Sequence, residues 1–194
     1  MPERAVTRTR MIEAAARLFQ RHGYAATSWR VIVAEAGTPW GSAHHCFPGG
    51  KQELAIEALR LSSRRVANLL EQSLAEGTDV ADGVIRWFDA AGAHLADSGY
   101  VEGCPIATVA LETADEPAVA EACAVALRSW TAPLVTALLE SGSTAQHAEQ
   151  LASLIVSGLE GALLTARLQH DRTPLTFAAQ AIEPLLRMQG RQAV

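Results

Sequence analysis

The chain has 194 residues, 49% of them hydrophobic and 19% charged, enough for one ordinary domain or for a small domain joined to a larger one. Alanine supplies 37 residues and aromatics only 5%, so the apolar content is small and aliphatic, which excludes general disorder and favours helix packed on helix over sheet. The net charge of −5 is unevenly placed: residues 1–60 carry eight Lys/Arg against five acids, a net +3, and residues 61–194 carry eight against sixteen, a net −8.

The first helical stretch runs from about Thr7 to His22, with Ile12, Ala15, Ala16 and Phe19 at i, i+3, i+4, i+7 on one face. Gly23 follows as its C-cap. Thr27 and Ser28 are candidates to cap a second helix, Trp29 to about Ala36, whose Ile32 and Ala36 face inward, and Gly37 ends it. Thr38 is an N-cap candidate with Pro39 at the first helical position, so a short third helix is expected to run to Cys46 and stop before Phe47-Pro48-Gly49-Gly50. Two short helices joined by a glycine turn and braced by a longer one make a helix-turn-helix pattern, in which the second of the pair can lie in a major groove.

A long helix from Lys51 to near Gly77 carries Leu54, Ala58, Leu61, Val66, Leu69, Leu70 and Leu74. Val80, Val84, Trp87, Phe88, Ala91 and Leu95 keep helical period up to Asp97-Ser98-Gly99. Cys104-Pro105 opens a short helix to about Ala114, and Glu116-Pro117 opens the next, where Val119, Cys123, Leu127, Trp130, Leu134 and Leu138 share a face. The last two helices span about Ala145 to His170 and Thr173 to Met188. The expected fold is all-α with about nine helices: a helix-turn-helix domain over residues 1–50 and a helical ligand-binding and dimerisation bundle over 51–194.

The longest apolar run, about Cys104 to Leu111, is short of the ~20 residues of a membrane span, and the first residues lack the apolar core of a secretory signal. Cys46, Cys104 and Cys123 are odd in number and widely spaced, which fits reduced thiols. A cytoplasmic protein without a membrane partner is expected.

Thr27-Ser28-Trp29-Arg30-Val31-Ile32-Val33-Ala34-Glu35-Ala36-Gly37, then Gly41-Ser42-Ala43-His44-His45-Cys46-Phe47-Pro48, then Lys51-Gln52-Glu53-Leu54 resemble the TetR family of bacterial regulators. Members of that family read T-S-x-x-x-I-A-x-x-A-G, K-G-S-L-Y-H-H-F and K-E-E-L at the same spacing. Gly103-Cys104-Pro105-Ile106-Ala107 and Ala110-Leu111-Glu112 resemble its LmrA-like branch. Val31 stands where the family often has an acid, Trp40 where it has Lys or Arg, and Ala43-His44 where it has Leu-Tyr. The resemblance implies that Thr27, Ser28, Arg30, Thr38, Pro39, Trp40, Gly41, Ser42, His44, His45 and Lys51 lie at or near double-stranded operator DNA. Hydroxyls and amides would meet phosphate there, Lys51 would offer a point charge, and Gly41 would leave room for the groove. Helix capping is the plainer role of Thr27, Ser28 and Thr38, and Trp40 is equally able to touch a thymine methyl or to pack on its own domain.

The acidic remainder resembles the family's effector and dimer domain. Trp87, Ala91 and His94 fall on one side of their helix, and Cys123, Leu127 and Trp130 on one side of theirs, a candidate container for a small hydrophobic effector. Ordinary core packing is the alternative for each. Leu151, Ile155, Gly158, Leu159 and Ala162, with Ile182 and Leu185, are the expected homodimer interface, since their arc is wide and the glycine admits a close helix; a fully buried central helix is the alternative. Two recognition helices on a two-fold axis would read a palindrome.

His44-His45-Cys46 is a poor metal site, because adjacent helical residues diverge by about 100°. Gly49-Gly50-Lys51 is not a P-loop, since His45 and Gln52 occupy its required Gly and Ser/Thr positions. No nucleophile–base set and no cofactor motif are visible. The expectation is a non-enzymatic regulator, most simply a repressor released by an effector; the rival is a helical ligand-binding protein or enzyme with a vestigial DNA-binding motif.

Overall fold

The computed structural model describes residues 2–189. Among them are nine helices and no strand: α1 (Pro2–His22), α2 (Trp29–Glu35), α3 (Ser42–Cys46), α4 (Gly50–Glu76), α5 (Val80–Asp97), α6 (Pro105–Ala110), α7 (Pro117–Glu140), α8 (Ala145–Gln169) and α9 (Thr173–Gln189). Local chemistry sets most boundaries. Gly23, at φ +80°, donates its N–H to the Phe19 carbonyl at 2.9 Å and ends α1. The side chains of Ser28, Asp79, Cys104 and Thr144 each accept the N–H three residues on, at the starts of α2, α5, α6 and α8.

The helices form two compact units. One extends to Arg64 and takes in Cys104–Ala126; the other comprises Arg65–Gly103 and the chain from Leu127 onward. The packing boundary therefore differs from a cut at residue 50. It divides α4 and α7, and it joins α6 to the N-terminal unit because α6, with Ile106 and Val109 buried, packs on α1.

The core of the first unit holds Met11, Ala14, Ala15, Phe19, Ile32, Phe47 and Leu54. Ile12 is only half-buried, so the inward arc of α1 is rotated by about one residue from the expected stripe. In the second unit α5, α8 and α9 pack on one another around Trp87, Phe88, Leu95, Ile155, Leu159, Leu175 and Ile182. Each large apolar side chain so buried contributes about 1.5–3 kcal/mol.

Two helices are more apolar than the longest uninterrupted apolar run implies. α7 and α8 each contain an 18-residue stretch of mean hydropathy 1.4, sufficient by length and composition alone to cross a membrane. In α8 the apolar residues are divided between a buried face with Ile155 and Leu159 and an exposed face with Leu154, Leu164 and Leu168. A helix with two apolar faces scores as a span without being apolar all round.

Candidate nucleic-acid interface

α2, α3 and the turn between them carry a set of outward residues. Ser28, Arg30 and Val31 are exposed on α2, and Pro39, Trp40, Gly41, His44 and His45 are exposed in and before α3, with Ser42 half-buried. Trp40 is 56% exposed, so its indole does not pack into its own domain; the neighbouring Trp29 fills the apolar place against Phe47 instead, with ring centroids 6.2 Å apart. A Cβ on Gly41 would meet nothing within 4 Å. The glycine is therefore not required by the fold, and it keeps the surface low where another body could approach.

α3 begins later than the sequence pattern implies. Ser42 donates its N–H to the Pro39 carbonyl at 3.0 Å and Ala43 to the Trp40 carbonyl at 3.3 Å, so Pro39 to Ala43 turn into the helix and Gly41 holds the N-cap position. Thr38 is not a cap. Its N–H donates to the Val33 carbonyl at 3.2 Å, and its hydroxyl oxygen is buried without a hydrogen-bond partner.

Two further expected DNA contacts are turned inward. Thr27 is 1% exposed and its hydroxyl donates to the Gly23 carbonyl at 2.7 Å, which leaves no donor for a phosphate. Lys51 donates from Nζ to the Tyr24 carbonyl at 2.5 Å and lies 4.1 Å from the centre of the Tyr24 ring. Burial pushes the Lys51 ammonium below the usual lysine range, against the pull of Glu112 and Glu116. Both residues shape the α1–α2 turn rather than project from it.

Several basic residues of the N-terminal helices are engaged in holding the unit together. Arg4 donates to the His45 carbonyl at 2.5 Å, Arg8 pairs with Glu57 at 3.6 Å and lies 5.0 Å from the Phe47 ring centre, and Arg17 pairs with Glu35 at 3.3 Å. Arg4 meets the last turn of α3, where a cation is favoured by the exposed carbonyls. Nothing local in the sequence marks Arg4, whose partner lies 41 residues on.

The adjacent His44, His45 and Cys46 are not gathered for a metal: both histidines are exposed and the cysteine is buried. No group of three or more His, Cys, Asp or Glu among the described residues is arranged to hold an ion.

The expected effector residues are only partly collected. Trp87 and Trp130 are fully buried and Ala91 and Leu127 half-buried in the second unit. Cys123 is buried in the first unit, where burial pushes its thiol up to about 11. The His94 side chain is 61% exposed, with Nε2 3.6 Å from the Glu102 carboxylate. The i, i+7 spacing from Trp87 thus places it at the edge of the buried face and outside it.

The expected dimer residues are mostly internal. Leu151, Ile155, Leu159, Ala162 and Ile182 are buried within the subunit, and Gly158 is half-buried. A Cβ at Gly158 would stand 3.1 Å from Ile182 Cδ1, so the close helix approach is real but joins α8 to α9 of the same chain. Leu185 alone of the set is exposed, at 42%. The outward apolar residues are Leu154, Leu164 and Leu168 of α8 and Phe177, Leu185 and Met188 of α9.

Comparison with known proteins agrees with this architecture. Residues 11–58 match the model of the bacterial regulatory proteins of the tetR family, and residues 80–181 match the C-terminal domain of LmrA/YxaF-like transcriptional regulators. The chain is 35% identical over 192 residues to the HTH-type transcriptional regulator YxaF of Bacillus subtilis, covering 98% of this chain and 100% of that protein. It is 30% identical over 183 residues to the regulator LmrA of the same organism, covering 93% and 97%. A TetR transcriptional regulator from Chloroflexus aurantiacus superposes with a TM-score of 0.82 at 27% identity, covering 97% of this chain and 98% of that one. With a helix-turn-helix whose outer face is exposed and a helical C-terminal domain of matching type, the chain belongs to the TetR family of DNA-binding transcriptional regulators, with an LmrA/YxaF-like C-terminal domain.

Proposed function

We propose that the protein is a cytoplasmic, non-enzymatic repressor that occupies a palindromic operator as a homodimer and leaves it when a small hydrophobic effector binds the C-terminal domain. The observation that carries the DNA-binding part is the exposed set Ser28, Arg30, Trp40, Gly41, His44 and His45, with Ser42 half-buried among them, which combines open space at Gly41 with polar, cationic and apolar groups for phosphate, base edge and thymine methyl. Because Arg4, Arg8 and Arg17 are tied to internal partners, affinity leans on fit and dimerisation as much as on charge. Thr38 and Pro39 support this surface from the turn, and Thr27 and Lys51 support it from behind.

The dimer face is the exposed apolar side of α8 and α9. Leu154, Gly161 and Leu168 recur at seven-residue intervals with Leu164 between them, the period of a helix pair. Phe177, Leu185 and Met188 continue the face on α9. The effector site lies in the bundle of the second unit beside Trp87, Ala91, Leu127 and Trp130. An effector that binds better to a conformer with badly spaced recognition helices lowers operator affinity by that difference.

Selection of duplexes from a random-sequence pool by the full-length chain tests the reading. A recovered palindrome, bound with a steep loss of affinity as salt rises, is the expected result. Recovery of no preferred sequence at any salt would favour a ligand-binding protein with a vestigial motif.

A further inference from the structure

The α1–α2 turn is gripped by residues from far outside the helix-turn-helix. The Ala25 N–H donates to Glu112 Oε2 at 2.8 Å, the Tyr24 hydroxyl donates to Glu116 Oε1 at 3.3 Å, and Gln52 Nε2 donates to Glu116 Oε2 at 3.0 Å. Glu112 and Glu116 stand on the connection between α6 and α7, 87 and 92 residues beyond their partners in the turn. Lys51 completes the arrangement by donating to the Tyr24 carbonyl while its charge is attracted by both carboxylates. Gly23 is favoured by its φ of +80°, and a Cβ there, 2.4 Å from Glu112 Oε1, would displace the Glu112 carboxylate. All of these residues belong to the same compact unit.

α2 has only seven residues, too few to hold its own place by helix formation. Ile32 and Val33 bury its inner face, and α2 packs on α1; where it starts is set by the turn that precedes it, whose amide, carbonyl and aromatic side chain are all held from outside. We propose that Glu112 and Glu116 are positioning residues for DNA recognition: without touching DNA, they fix the α1–α2 turn and through it the placement of Ser28, Arg30 and the α3 surface. This rests on the regulator reading above.

The test uses the full-length chain and the duplex it selects from a random pool. Glu112→Ala is expected to lower affinity by about tenfold or more, the order of a lost hydrogen bond to a charged group. The slope of log affinity against log salt should stay unchanged, because no phosphate contact is removed. Glu112→Gln, which keeps an acceptor oxygen for Ala25, should recover most of the loss. A second readout needs no DNA. Burial, then the Glu116 charge and hydrogen bond, push the Tyr24 phenol up to about 12. In a Tyr100→Phe background, which leaves one tyrosine of the two, Glu116→Gln should make ultraviolet ionisation begin at lower pH. Wild-type affinity in a folded Glu112→Ala protein overturns the proposal, as does a salt slope reduced by about one, which would mark a direct phosphate contact. If the wild-type chain selects no duplex, the regulator reading fails instead, and the titration then decides: an unmoved Tyr24 in Glu116→Gln removes the clamp.

Discussion

The two units are built from the same kind of helix but are held differently. In the N-terminal unit short helices are fixed by polar cross-links between distant positions: Arg4 to the His45 carbonyl, Arg17 to Glu35, Lys51 to the Tyr24 carbonyl, Glu112 to the Ala25 amide. In the unit of α5, α8 and α9 long helices bury Trp87, Phe88, Ile155, Leu159 and Ile182, and the distant polar links, Arg187 to Asp79 and Arg172 to the Asp89 carbonyl, are added at the surface. The contrast follows from helix length. A helix of five or seven residues offers a small apolar face, Ile32 and Val33 on α2 and Ala43 and Cys46 on α3, to which directional bonds add, whereas α8 has enough for two faces, one for its own subunit and one left over.

The sharpest way to break this comparison is to strike each face of α8 separately. Leu164→Glu with Leu168→Glu, on the exposed side, should yield a folded monomer that no longer binds the operator. Light scattering reads the mass and circular dichroism the fold; a dimer that survives both charges would remove that face as the interface. Ile155→Ala, on the buried side, should instead cost about 2–5 kcal/mol of stability, read as a lower denaturant midpoint of the same dimer. Equal stability losses from the two faces would contradict the division.

The N-terminal unit should respond to smaller changes in backbone chemistry. Gly23→Ala forces a side chain into left-handed backbone and against the Glu112 carboxylate, for a cost of at least about 1 kcal/mol in thermal unfolding. Ser28→Ala removes the α2 cap and should cost ~1 kcal/mol. No loss at either position would mean that the turn is not what holds α2.

Acid gives the smallest effect and concerns the second unit. The Thr78 N–H, then Arg86, hold the Asp82 carboxyl below its ordinary range, and the Thr173 N–H and hydroxyl do the same for Asp171. Unfolding raises both affinities for protons, so this stabilisation is present above the ordinary aspartate range and is lost as pH falls through the folded values. The thermal midpoint should fall below about pH 4, and Asp82→Asn should flatten that fall; a midpoint independent of pH from 5 to 2 would contradict it.

What was legible in the sequence follows the same line. Gly23, Ser28 and Gly37 announce α1 and α2 because caps act over three or four residues. The two apolar faces of α8 are visible as period, but period does not say which face a neighbouring helix takes, so Ile155 and Leu159 read as interface, with core as the alternative, until α9 is in place. Lys51 and Thr27 match the family's motif yet point inward, because their partners in the turn are set by folding rather than by spacing. Glu112 and Glu116 carry no local signal that ties them to residues 24 and 25.

Gly41 offers the most direct measurement of the central claim that the outer face of α2 and α3 is the DNA-reading surface. A Cβ there meets nothing within 4 Å, so Gly41→Leu should unfold at the same temperature as the wild type. The account predicts that this variant, folded and dimeric, loses binding to the selected duplex. Wild-type affinity in Gly41→Leu would contradict it.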